Sequence, residues 1–227
     1  MMIFIDVETT GLGERDKLCS VGLLSDEVSI YELVDEGKKI SASASSINHI
    51  TNEMLKGRAK FKDTKAYEFL KAHNSASTTL VGHNVVFDLD MLQRSGFNFV
   101  GEVIDTLRVT KHLIPECESF ALQHLRYELK LYKRETTPLT AHNALDDAKV
   151  VQHLYEYLLD YASKEKLIEL SAKNVLITKF KYGKYAGHYI EEIAMSDRGY
   201  LEWMLLNVVD LDEDLRYSIE YFLQGVS

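Results

Sequence analysis

The feature that most limits how this chain can fold is the order of its apolar segments. Three β-type runs come first, Met2–Val7, Lys17–Ser25 and Val28–Asp35, the last two separated by Asp26-Glu27 in the manner of an antiparallel hairpin. Asp63–His73 then has helical spacing, with Ala66, Phe69 and Leu70 on one face. From there strand and helix alternate. "STTLVGHN" (Ser77–Asn84) is a short buried strand, and "VFDLDMLQRSGF" a helix stopped by Gly96. Glu102–Asp105 is a strand, followed by a helix ended at Pro115. Further helices are expected over "SFALQHLRYELKL" (Ser119–Leu131) and "ALDDAKVVQHLYEYLLDYA" (Ala144–Ala162). Strands first and alternation afterwards predict an α/β domain with a mixed sheet. The character changes near Ser163–Lys173, dividing the chain into a main domain, 1–165, and a small C-terminal module, 166–227.

At 227 residues there is room for one medium domain and a small addition. An aspartate at position 6 interrupts any signal-peptide core, and no uncharged apolar run approaches the roughly 20 residues that span a bilayer. Two cysteines, Cys19 and Cys117, are too few for a disulfide framework or a zinc cage and suit a reducing cytoplasm. The net charge of −9 opposes non-specific polyanion binding, unless acids concentrate at a metal site and bound cations reverse the local sign.

The first strand supplies such acids. In "FIDVETTGL" (Phe4–Leu12), Asp6 and Glu8 stand at i and i+2 and project from one face of the strand. Adjacent carboxylates repel unless one is protonated or a cation sits between them. Oxygen ligands of this kind suit Mg²⁺ or Mn²⁺. Gly11 permits a close backbone approach to whatever occupies the site. A strand-end pair of exposed acids is the plainer reading of such a pair alone. It is not alone. "VGHNVVFDLDML" supplies Asp88 at the start of a helix after a strand, and "AHNALDDAKVV" supplies His142 and Asp147 in the first turns of another. Singly, Asp88 could complement a helix N-terminus, His142 could be a capping residue and Asp147 a solvated helix position. Together and in this order they point to one acidic pocket.

These three stretches resemble the motifs of the DEDDh 3′→5′ exonucleases, in order and at typical separations. The resemblance implies a ribonuclease-H-like fold, a five-stranded mixed sheet whose first three strands are antiparallel. It also implies four metal-binding acids, Asp6, Glu8, Asp88 and Asp147, with His142 as the catalytic histidine. Asp90 and Asp146 are the near alternatives; the preceding Phe87 and the spacing from His142 select Asp88 and Asp147. Two Mg²⁺ ions, with Mn²⁺ able to substitute, would lie about 4 Å apart and clamp the attacking and leaving oxygens. Asp6 would bridge them, with Glu8 and Asp147 on one ion and Asp88 supporting the other. His142 would take the proton of the attacking water. Thr9, Thr10, Gly11 and Leu12 would lie beside the terminal nucleotide, Leu12 as a base wedge. Asn48, Ile50, His83, Asn84 and Phe87 complete the expected substrate contacts. "SSINHITNEML" departs from the family's usual His-x-Ile-Thr by placing Asn48 at the matching position and His49 beside it. His83 is also expected to order the loop before Asp88.

The C-terminal block carries Lys173, Lys179, Lys181 and Lys184 among Phe180, Tyr182, Tyr185 and Tyr189, with no acid as far as Ile190. Basic groups for phosphates interleaved with aromatic faces for bases suit a single strand; a small hairpin packing its own aromatics, with "YGKYAG" as its turn, accounts for them equally well. The block resembles the C-terminal module of the exodeoxyribonuclease X family, with Tyr200, Leu201 and Trp203 in a later Tyr-Leu-x-Trp. The implied activity is a DNA exonuclease acting from the 3′ terminus of single strands and duplex ends, in DNA repair. An exoribonuclease, a polymerase proofreading subunit and a non-catalytic nucleic-acid-binding module are the alternatives. "GLGERD" fails as a dinucleotide fingerprint because Asp16 replaces the third glycine. "DLDEDL" fails as a calcium loop because Leu215 holds the glycine position, and Asp212 is expected as a helix N-cap instead.

Overall fold

The computed structural model describes residues 1–225. Five strands, β1 (Met2–Thr9), β2 (Leu18–Leu24), β3 (Ser29–Leu33), β4 (Thr79–Gly82) and β5 (Glu102–Asp105), form one sheet in the order β3-β2-β1-β4-β5. β1 to β3 pair antiparallel, and β4 and β5 join β1 in parallel. The expected ribonuclease-H-like arrangement is borne out. The helices of this unit are α1 (Ala42–Asn48), α2 (Asn52–Leu55), α3 (Lys65–Ala72), α4 (Val85–Arg94), α5 (Thr106–Leu113), α6 (Leu122–Glu128), α7 (Ala144–Leu158) and α8 (Lys164–Ser171).

The period-2 pattern of β1 sorts its side chains between two cores. Ile3, Ile5 and Val7 face a cluster built with Ala66 and Leu70 of α3 and Met91 and Leu92 of α4. Phe4 faces the other cluster, with Val151, Leu154 and Tyr155 of α7, and its ring meets Tyr155 edge-on at 5.6 Å. Asp6 and Glu8 continue along that second face, so α7 runs from an aromatic contact at Phe4 toward the acidic end of the strand. Gly22, opposite Asp6 in the ladder, makes this packing possible. A Cβ there would lie 2.2 Å from the carbonyl carbon of Ala144.

Two expectations change. The helix expected over Ser119–Leu131 is confined to α6, because Lys130 takes a left-handed conformation (φ 57°) and a 3₁₀ turn follows at Leu131–Arg134. The first compact unit runs to Ser171 rather than 165, since Leu167 and Leu170 of α8 bury their side chains in the second core.

The second unit, from Ala172 onward, contains α9 (Ile190–Ser196), α10 (Arg198–Asn207) and α11 (Glu213–Gly225). Its core gathers Phe180, Ile190, Ile193, Leu201, Leu215 and Ile219. The turn "YGKYAG" lies between Lys179 and Tyr189, which form an isolated antiparallel bridge. Asp212 accepts a hydrogen bond from the N–H of Leu215 at 2.9 Å, the expected N-cap contact.

Candidate active site

Asp6 and Glu8 come from the end of β1, Asp88 from the first turn of α4 and Asp147 from the first turn of α7. Asp88 and Asp147 are buried, and Asp6 and Glu8 partly so. The four carboxylates act on one another. Burial pushes Asp6 well above the usual carboxylate range, and Asp88, Asp147 and Glu8 add to the rise by repulsion. Asp88 is raised in the same way, by burial first; hydrogen bonding from the backbone of Val7 and from its own N–H partly offsets this. Glu8 is pushed up to about 8 by burial and the Asp147 charge, against a hydrogen bond from Asn48. Asp147 rises to about 6, burial again the main cause. Asp6 and Asp147, 141 positions apart in sequence, therefore act on one another.

His142 is exposed at the rim, and a ring nitrogen of its side chain lies within 4.8 Å of carboxylate oxygens of both Glu8 and Asp147. Its backbone is left-handed (φ 59°), and its N–H donates to Oδ2 of Asp147 at 2.9 Å. The other motif repeats the left-handed residue but not the bond to the candidate ligand. Asn84, before Asp88, is left-handed (φ 62°), and its N–H donates to Oδ1 of Asp105 at 3.0 Å.

The near alternatives are engaged elsewhere. Asp90 pairs with Arg94 at 2.6 Å. Asp146 accepts from the N–H of Thr140 at 2.9 Å and from Lys149 at 2.8 Å. This leaves Asp88 and Asp147 in the pocket. A mutually repelling, largely desolvated set of oxygen donors fits a hard divalent cation. Among the described residues, Glu8, His142 and Asp147 offer ligand atoms within 4.8 Å of one another, a set that could hold such an ion, and Asp6 feels the charges of Asp88, Asp147 and Glu8.

Beside Glu8 opens a cleft of about 350 Å³, lined by Thr9, Gly11, Leu12, Ser41, Ile47 and Asn48 among others. Leu12 stands 87% exposed at its edge. Gly11 lines this cleft and also accommodates the loop's own acid, since a Cβ there would meet the Asp16 carboxylate at 2.6 Å. Thr10 is buried and donates to that carboxylate at 2.8 Å, and the Thr9 hydroxyl donates to the carbonyl of Gly11 at 2.7 Å. Asn48 is buried too, donating to the carbonyl of Thr9 at 3.3 Å and accepting from the N–H of Ile50 at 3.1 Å. Ile50 itself lies in a small core with Cys19, Ile40 and Leu55 and does not line the cleft, a correction to its expected substrate contact. Phe87 packs against the first core. His83 has both ring nitrogens engaged, with Thr106 Oγ1 at 3.0 Å and the carbonyl of Phe120 at 2.8 Å, and so orders the loop before Asp88. In the second unit Lys184 pairs with Asp197 at 3.0 Å, Lys179 lies over the Tyr189 ring at 4.2 Å, and Lys181 is exposed.

Sequence reasoning passes over a network behind Asp147. Gln123 donates to Oδ1 of Asp147 and accepts from Arg126 at 3.0 Å. Arg126 forms a two-pronged pair with Glu135, both contacts 2.7 Å, and reaches the carbonyl of Leu139 at 3.1 Å. Both charged side chains are buried, 6% and 8% exposed. Their signal in the sequence is slight, polar residues within a helical pattern.

Comparison with known proteins agrees with this geometry. The Exonuclease family profile matches residues 3–155, and the Exodeoxyribonuclease X-like C-terminal profile matches 180–209. Exodeoxyribonuclease 10 of Escherichia coli (strain K12) is 27% identical over 233 aligned positions, covering 99% of this chain and all of that protein. DNA polymerase III subunit epsilon of Treponema pallidum (strain Nichols) is 29% identical, covering 70% of this chain and 77% of that one. Among solved structures, Exonuclease X in complex with 5′ overhanging duplex DNA superposes with a TM-score of 0.60 and 23% identity, over 76% of this chain and 100% of that one. No helix of the described residues is long and apolar enough to cross a membrane. With the Exonuclease profile spanning well over half its length, the chain belongs to the Exonuclease family, and its C-terminal unit carries an exodeoxyribonuclease X-like segment.

Proposed function

We propose that this chain is a divalent-metal-dependent 3′→5′ exodeoxyribonuclease that removes nucleotides from single strands and duplex 3′ ends in DNA repair, in the cytoplasm. The observation that carries the reading is the mutual repulsion of four carboxylates drawn from three motifs, with the His142 imidazole within 4.8 Å of Glu8 and Asp147. Bound cations, Mg²⁺ or in its place Mn²⁺, would neutralise charge at the attacking and leaving oxygens, the role of a two-ion site. Asp6, Glu8, Asp88 and Asp147 would hold them.

The rest falls to the chain's own groups. His142 accepts a proton from the attacking water, whose oxygen forms a bond to phosphorus as the bond to the 3′-oxygen breaks; a proton from solvent completes the new 3′-hydroxyl. Gln123 and the His142 N–H each occupy one oxygen of Asp147, fixing that carboxylate's orientation. The cleft beside Glu8 receives the terminal nucleotide, with Thr9, Gly11, Leu12 and Asn48 around it and Leu12 against the base. In the second unit, Lys181 with the exposed rings of Tyr182 and Tyr189 offers a further contact for a single strand.

The E. coli exodeoxyribonuclease is matched along its whole length, which favours this reading over a polymerase proofreading subunit. Digestion of matched 5′-labelled DNA and RNA strands, with and without chelator, tests it. Stepwise shortening of DNA from the 3′ end, abolished by chelator and by Asp6→Asn, is expected. Faster loss of the RNA strand would assign the chain to exoribonucleases. Binding without cleavage would make it a nucleic-acid-binding module.

A further inference from the structure

The positive charge of this acidic chain is unevenly placed. Residues 38–65 carry seven lysines and arginines against two acids, a net +5 where the whole chain is −9. The C-terminal unit, in which the sequence suggests a basic surface, holds six against nine from residue 172 onward.

The basic segment borders the candidate active site. A cleft of about 450 Å³ is lined by Lys38, Lys39 and Lys56, together with Asn52, Asp35 and Glu53. Only Ile40 separates Lys39 from Ser41, which lines the cleft beside Glu8 and whose N–H donates to the carbonyl of Thr10 at 3.1 Å. The Cα atoms of Lys39 and Ser41 are thus at most about 7 Å apart. Asn52 fixes the ridge between the clefts, accepting from the N–H of Ile40 at 3.0 Å and donating to its carbonyl at 3.3 Å.

The two acids of the lysine cleft have local partners. Asp35 accepts from the N–H of Gly37 at 2.9 Å, and Glu53 is held below the usual range by its own backbone N–H and Thr51. The lysines have less. Lys38 reaches Asp16 only at 3.8 Å, and among the described residues Lys39 and Lys56 have no ion-pair partner.

We infer that the cleft of Lys38, Lys39 and Lys56 holds the phosphodiester backbone of the substrate strand, a nucleotide or two upstream of the scissile bond. This rests on the proposed exonuclease function and adds the surface that carries the strand. An extended polyanion whose end lies against four carboxylates needs compensating cations close by, and these lysines are the adjacent exposed set.

The test uses the full chain with Lys39→Ala and Lys56→Ala combined. Two substrates are compared over a range of salt, a 20-nucleotide single strand and thymidine 5′-p-nitrophenyl phosphate, which has no upstream phosphate. For the strand, KM should rise several-fold, and the slope of log(kcat/KM) against log[salt] should flatten by about 1.4, roughly 0.7 for each phosphate that is no longer neutralised. Hydrolysis of the small ester should be unchanged. Unchanged KM and slope on the strand would overturn the inference, and so would equal loss on both substrates, which would place the lysines in the fold. A wild-type protein inert on DNA with Mg²⁺ would overturn the exonuclease reading itself, an outcome distinct from an active wild type matched by its variant.

Discussion

The backbone N–H of His142 donates to Oδ2 of Asp147, five residues on, at 2.9 Å, while the His142 backbone is left-handed. One bond thereby links the expected general base to an expected metal ligand. A non-glycine residue in this conformation costs on the order of 1 kcal/mol, held here by the hydrogen bond to a buried carboxylate. It turns the imidazole toward Glu8 and Asp147 and leaves it exposed at the rim.

Replacing His142 separates its two contributions. His142→Ala keeps the N–H and so keeps Asp147 oriented, but removes the imidazole. Turnover on a labelled strand should fall by about 10²–10⁴-fold, the usual contribution of a general base. Mn²⁺ affinity measured by calorimetry should stay within a few-fold of wild type. A matching collapse of metal affinity would make His142 a ligand rather than a base.

The carboxylate pocket makes metal-free stability depend on pH, with a definite sign. Burial and mutual repulsion raise Glu8 from 4.5 to about 8 and Asp147 from 3.8 to about 6, and lift Asp6 and Asp88 as well. Above the ordinary carboxylate range the folded protein therefore holds more protons than the unfolded chain, so stability falls as pH rises, to about 8. Without metal, Tm should drop between pH 5 and pH 8.5 by roughly 5–10 °C, at about 2–4 °C per kcal/mol for a chain of this size. Saturating Mg²⁺ should remove most of the drop, because it stabilises the ionised forms. A metal-free Tm that climbs over that interval would mean that protein cations already compensate the acids.

The parts of this molecule legible in its sequence are those with a period or a cost. β1 alternates apolar residues between two cores, and its acids stand out because burial penalises them. The partners of Asp90 and Asp146 are harder to read: both acids are spent on local contacts, Arg94 in one case, Thr140 and Lys149 in the other. α1, "ASASSIN", offers no apolar stripe and buries only Asn48, so no helical pattern announces it. Ile50 sits in a motif-like stretch yet is a core residue, since an apolar side chain beside a site and one beneath it look alike in sequence. The Gln123–Arg126–Glu135 network joins residues up to 24 positions from Asp147 through side chains alone, a relation without periodicity.

That network yields a prediction about positioning. Glu135→Gln leaves the Arg126 guanidinium buried without its carboxylate, and removing one partner of a buried pair costs about 3–5 kcal/mol. Stability should fall by an amount of that order. Arg126→Met strands the buried Glu135 carboxylate in the same way and should cost a similar amount. The informative readout is Gln123→Leu, which leaves the ion pair intact and removes the bond to Asp147 Oδ1. The Mg²⁺ concentration for half-maximal activity should rise by about tenfold, the scale of losing a hydrogen bond that orients a metal ligand, with Tm little changed. An unaltered Mg²⁺ requirement would reduce Gln123 to a packing residue.

Gly22 sets how near α7 comes to β1. It faces Asp6 across the ladder, and a Cβ at this position would fall 2.2 Å from the Ala144 carbonyl carbon and 2.3 Å from the Leu145 nitrogen. Those atoms belong to the first turn of the helix that carries Asp147, and backbone cannot rotate away as a side chain would. Gly22→Ala must therefore push the helix start outward, costing about 1–3 kcal/mol as overpacked sites do. The displacement also draws the Asp147 carboxylate from Asp6 and Glu8. Tm should drop, metal affinity should weaken, and the metal-free fall of Tm with pH should become shallower as the carboxylates move apart. A loss of Tm without the other two changes would mean that β2 yields instead of α7, leaving the acidic pocket as it was.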